Sequence, residues 1–128
     1  MRKIKFLAFY KVDKTIYEVL ALDFENSEAR LTGLITEEEI ECPFYDIKLI
    51  QYTGLKDKDG YEIYEGDIVK SSTSIGEIIY DDFAFKVRFF DEELFIWEIE
   101  VSECEIIGNI FKNPELLEAE KMIKKIKD

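Results

Sequence analysis

The sequence contains no histidine, which removes the commonest general base and the commonest metal ligand at once. Its two cysteines, Cys42 and Cys104, stand far apart, so no metal-binding or redox Cys-x-x-Cys spacing exists. A single disulfide would be out of place in a reducing cytosol, and both read as small semi-buried hydrophobic side chains. Long apolar runs are missing too. The longest stretch without a charged residue is the seven of Leu49–Leu55, against roughly twenty for a membrane span. The basic start, Met1–Tyr10, lacks the apolar run and small-residue cleavage site of a signal peptide, so a cytoplasmic protein without membrane contact is expected. No Ser/His or Cys/His pair and no phosphate-cradling glycine loop occurs, so neither catalysis nor a cofactor is expected.

What remains is rich in core formers. The 128 residues are 47% apolar and 14% aromatic, enough for one folded domain and too much for a disordered chain. The formal charge of −12 is segregated. Met1–Lys14 has five basic residues against one acidic, Lys121–Asp128 has four against one, and Thr15–Glu120 has 8 basic and 27 acidic, or −19. Exposed charges are screened over about 8 Å at physiological salt, so local patches decide what binds. Either the basic ends lie on the acidic body, or that body attracts a basic partner or mimics nucleic acid. Direct nucleic-acid binding is disfavoured, because the aromatic-rich middle is acidic where phosphate contacts need clustered Lys and Arg.

Alternation predicts strands over Lys3–Lys11, Ile16–Phe24 and Arg30–Ile35. Glu37–Glu39 reads as a solvated loop or a helix start capped by Thr36. Ile47–Thr53 is a further strand, followed by a polar turn from Gly54 to Gly60. Asp57-x-Asp59 has a superficial calcium-loop look, but Gly60 is fourth from Asp57 where that loop needs its glycine sixth, so no metal is expected. Five short strands then follow, Asp67–Ser71, Gly76–Tyr80, Phe83–Phe90, Leu94–Val101 and Glu105–Ile110, with Phe85, Phe89 and Trp97 expected in the core. Each has one apolar face, and closing into a small barrel would bury all five. Asn113-Pro114-Glu115 starts a helix whose acidic first turns and lysine-rich end suit the helix dipole. Its stripe of Leu116, Ala119, Ile123 and Ile126 must pack, either on the same domain or on a second copy.

Three segments are more specific. Met1–Phe6 (MRKIKF), Gln51–Val69 (QYTGLKDKDGYEIYEGDIV) and Glu105–Leu117 (EIIGNIFKNPELL) resemble, in that order, the YopX family of small phage and prophage proteins. The resemblance is least over Thr15–Asp46. It implies a mainly β fold with a small barrel resembling the Src-homology-3 type, a phage or prophage origin and a bacterial cytoplasmic location, and it implies no activity. The chain is thus expected to be a single domain, with an N-terminal β region over 1–53, the barrel over 54–112 and the C-terminal helix over 113–127. Gly54, Gly60 and Gly66 would punctuate turns, and Gly108 would mark a bulge or close packing.

The function expected is a non-enzymatic binding or regulatory module for a basic protein partner. Tyr52, Tyr61, Tyr64 and Tyr80 lie in or beside turns where an aromatic groove could form, and Asp57, Asp59, Glu62, Glu65, Asp81 and Asp82 beside them would favour a cationic ligand. The alternatives are a self-assembling structural protein, using Leu116, Ala119, Ile123 and Ile126 or an exposed sheet edge, and a nucleic-acid-associated protein acting through the basic ends.

Overall fold

The computed structural model describes residues 5–127. The strands are β1 (Phe6–Tyr10), β2 (Thr15–Asp23), β3 (Glu28–Gly33), β4 (Glu39–Pro43), β5 (Ile47–Lys56), β6 (Glu62–Tyr64), β7 (Asp67–Lys70), β8 (Ile75–Asp81), β9 (Ala84–Arg88), β10 (Glu93–Phe95) and β11 (Glu105–Asn109), followed by helix α1 (Glu115–Lys127). All strand pairs are antiparallel, in sheets of order β4-β3-β2-β1-β5-β6 and β10-β9-β8-β7-β11. The fold is mainly β with one C-terminal helix, as the alternation predicts. None of the described helices is long and apolar enough to cross a membrane. The chain forms two compact units, with the change falling between Gln51 and Tyr52 inside β5.

In the first unit, two polar turns fix the register. Asp13 accepts the Thr15 N–H at 3.0 Å beside Lys14, whose φ is 59°, and Asp23 accepts the Asn26 N–H at 3.1 Å just before Ser27 at φ 54°. The Asp13 carboxylate also accepts the Tyr17 hydroxyl, and that bond is the main reason the phenol is pushed up to about 12. Ala8, Tyr17, Ala29, Leu31, Cys42 and Ile47 form the core. Glu37 and Glu38 lie in a loop, one of the two expectations for the acidic run, and β4 begins at Glu39, so the strand Glu39–Pro43 was not expected.

In the second unit, β5 runs on through Gly54, whose φ of 89° accommodates an irregularity between the Tyr52 and Lys56 pairings rather than the expected turn. The core gathers Ile63, Val69, Ile78, Phe85, Val87, Ile96, Val101 and Cys104, with Phe89 packed against it. Phe85 and Phe89 therefore sit where the alternation puts them. Trp97 does not: it is 69% exposed and stacked flat on Phe95, with centroids 4.5 Å apart. Leu94–Val101 is not one strand. After β10 the chain turns through two short 3-10 segments, Ile96–Glu98 and Val101–Glu103, which send Ile96 and Val101 inward.

The five-stranded sheet stays open, so the closed barrel is not formed and the likeness to the Src-homology-3 type rests on strand number alone. On its outer strands, side chains occupy some of the backbone donors that a closing strand would use. The Phe95 N–H donates to Glu98 Oε2 at 2.8 Å, the Ile106 N–H to Asp57 Oδ2 at 3.1 Å and the Asn109 N–H to Asn113 Oδ1 at 3.3 Å. The core face is covered by Ile63, Ile96 and Val101 instead of by closure. Helix α1 packs on β8, with Leu117, Glu120 and Lys121 facing Ile75, Glu77 and Arg88 across a small cavity. Gly108 sits at an irregularity in the β11 pairing, and a Cβ there would meet Asn113 at 2.6 Å and Leu116 at 3.0 Å. Both readings of that glycine hold.

Asp57, 5% exposed, ties this unit together. Its Oδ1 accepts the N–H groups of Asp59 and Tyr61, both at 2.9 Å, and its Oδ2 accepts that of Ile106. Burial pushes the carboxyl up, but the three N–H bonds outweigh it and, with Lys58, hold it below its ordinary value. Asp67, at the start of β7, is the opposite case. Among the described residues it accepts a single N–H, that of Tyr64 at 2.8 Å, and burial, reinforced by the charge of Asp57, pushes it up to about 7.

Two predictions follow from this contrast. Asp57→Ala leaves three N–H groups without their acceptor, two of them in the turn and one in β11, and is expected to lower unfolding free energy in urea by about 3 kcal/mol or more; a loss below about 0.5 kcal/mol would contradict the tie. For Asp67 the native state holds a proton that the unfolded chain releases between about pH 4 and pH 7, so ionisation costs stability as pH rises through that window. Asp67→Asn is expected to be more stable than the parent above pH 7, by no more than about 4 kcal/mol, with the advantage gone near pH 4. Parallel stability profiles for the two proteins would contradict this.

Candidate functional site

A groove of about 380 Å³ opens in the second unit, within the size range of small ligand sites. One wall is the β7–β8 connection. The Ser71 N–H donates to the Ser74 carbonyl at 2.8 Å, and the Ser71 hydroxyl accepts the Ser74 N–H at 3.0 Å, so the turn is rigid while Ser72 and Thr73 face solvent. At one end, the Phe89 N–H donates to the Glu92 carbonyl at 2.8 Å, closing the β9–β10 turn and setting Glu92 on the rim. The opposite wall is the 3-10 connection carrying Glu100 and Glu103, whose backbones are joined by a 2.9 Å bond from the Glu103 N–H to the Glu100 carbonyl.

The floor is apolar and continuous with the core. Phe89 and Ile99 pack against the core, Cys104 belongs to it, and Leu94 is half-buried beside them. Burial first, then Glu103, pushes the Cys104 thiol up, so it stays protonated and donates to the Glu100 carbonyl at 3.7 Å. The wall is anchored by the Asp57 turn: the Lys58 N–H donates to the Cys104 carbonyl at 2.9 Å, two residues before Ile106 meets Asp57.

Three carboxylates, Glu92, Glu100 and Glu103, line this groove with no basic side chain among its lining residues. The ion pairs described in this unit use other acids: Lys58 with Glu105, Lys86 with Asp81 and Asp82, Arg88 with Glu93, and Lys121 with Glu118. Among the described residues no group of three His, Cys, Asp or Glu is arranged to hold a metal. The rim is thus a spread of separate negative charges over an apolar floor.

The residues expected to form a site are placed elsewhere. Tyr52 is buried and packs against Tyr64, with ring centroids 5.3 Å apart, and the Tyr64 hydroxyl donates to Glu62 at 3.2 Å. Tyr61 is exposed at the turn, and Tyr80 lies edge-on to Phe85. None of the four lines the groove. Asp57 is consumed by the turn, Asp59 is exposed, and Glu62 and Glu65 are half-buried. On α1, Leu116 is half-buried, Ala119 and Ile123 are exposed, and the Ile126 side chain lies outside those described. Sequence reasoning missed the groove because its members come from three separate turns. The available signal was Ser71-Ser72-Thr73-Ser74 together with glutamates flanking Leu94 and Ile99.

The YopX family model, described as "YopX protein", matches residues 5–118. No curated protein matches the chain. The crystal structure of protein EF1440 from Enterococcus faecalis is 31% identical, with a TM-score of 0.65, over 91% of this chain and 99% of that one. The family model spans nearly the whole sequence: the chain belongs to the YopX family.

Proposed function

We propose that the protein is a non-enzymatic binding module for a basic protein partner, and that the groove bounded by Glu92, Glu100 and Glu103 receives that partner. The observation that carries this reading is the combination of three carboxylates, none in an ion pair with the described residues, with an apolar floor. Charge of one sign around a concave site steers an oppositely charged partner and orients it, while the apolar area supplies residence time. The thiol in the groove is held protonated, which suits a binding surface rather than a nucleophile. The setting proposed is a phage or prophage protein acting in the cytoplasm of its bacterial host.

Affinity for a lysine-rich peptide, read by fluorescence anisotropy, is expected to fall by about tenfold when salt rises from about 0.05 M to about 0.5 M. It should fall comparably in Glu92→Gln/Glu100→Gln/Glu103→Gln. Affinity indifferent to both would contradict the proposal.

One observation favours a second reading, a homo-oligomer. The face of α1 turned away from β8 exposes Ala119, Met122 and Ile123. If this face joins copies, light scattering of the parent at tens of micromolar should report a multiple of the 15.1 kDa chain mass, and Ile123→Glu should return it to one chain with its fold intact. A monomeric parent would exclude this reading.

A further inference from the structure

The groove is layered: its apolar lining residues are buried or half-buried, Cys104 belonging to the core and Phe89 and Ile99 packing against it, whereas Glu92, Glu100 and Glu103 are exposed at its mouth. A lone lysine side chain pushed into it would put its ammonium among Phe89, Leu94 and Ile99, away from the carboxylates. The favourable arrangement is the reverse, an apolar side chain on the floor with its cationic neighbours at the mouth. Partner recognition by strand addition would need free edge donors, and side chains already occupy donors on both outer strands: Phe95 N–H is taken by Glu98, Ile106 N–H by Asp57 and Asn109 N–H by Asn113. Strand addition at those positions would have to displace Glu98, Asp57 or Asn113 from its donor.

Resting on the reading of this groove as the partner site, we infer that its ligand is a polypeptide segment in which one apolar side chain is flanked by lysine or arginine. The apolar residue is the anchor, desolvated against Phe89, Leu94 and Ile99. The flanking cations pair with the rim and shield the anchor from water, as peripheral contacts do around a buried hot spot. Neither half suffices alone, because exposed ion pairs are worth little and an apolar residue flanked by acids would meet like charge.

The test uses the full chain, isotope-labelled for NMR titration, with three capped peptides: Gly-Lys-Leu-Lys-Gly, Gly-Lys-Ser-Lys-Gly and Gly-Glu-Leu-Glu-Gly. The first is expected to shift the amides of Leu94, Ile99 and Cys104 in a saturable way, and each of the others to bind about tenfold more weakly or worse. In Glu100→Lys/Glu103→Lys, both exposed positions, the preference should pass to Gly-Glu-Leu-Glu-Gly. Equal binding of the leucine and serine peptides would overturn the apolar anchor while leaving the basic-partner reading standing. A parent protein that prefers the glutamate peptide, or binds none of the three, would overturn both.

Discussion

The second unit depends on one buried carboxylate. Asp57 accepts three backbone N–H bonds, two within its own turn and one from Ile106 at the start of β11. Charge-assisted bonds of this kind contribute about 1.5–3 kcal/mol each, and together they overcome the burial that would otherwise raise its pKa. The consequences are connected. The tie occupies a donor on the outer strand β11, and it fixes the Cys104 segment through the neighbouring Lys58 N–H. That segment carries Glu100 and Glu103, so the groove's acidic wall inherits its position from Asp57.

Much of the architecture was legible in sequence because it rests on local alternation. Phe85 and Val87 alternate with Lys86 and Arg88, and Asn113-Pro114 announces α1. The failures have a common cause. Phe95-Trp97-Ile99-Val101 alternates like a strand, yet the same residues satisfy 3-10 turns once Ile96 has a core to enter, and only tertiary packing chooses between the two. Strand closure likewise could not be read, because apolar faces on five short strands are buried equally well by a closed sheet or by Ile63, Ile96 and Val101 covering an open one.

Asp57 and Asp59 look alike in sequence, two acids in one polar turn. What separates them is Ile106, 49 residues away. The same difficulty hid the groove. Its serines and glutamates are ordinary turn residues taken singly, and only the sheet brings the β7–β8 turn, the β9–β10 turn and the 3-10 connection to one mouth. Net charge was a poor guide for the related reason that the second unit pairs Lys58, Lys86 and Arg88 with other acids, so those lining the groove are left to act outward.

Amide hydrogen exchange of Asp59, Tyr61 and Ile106 tests the tie most directly, since each donates to the same carboxylate. If Asp57 is the anchor described, these three amides exchange as slowly as those of the buried strand residues Ile78 and Val87, although two of them belong to a surface turn. Exchange at the rate of an open loop, with β8 and β9 still protected, would contradict the account.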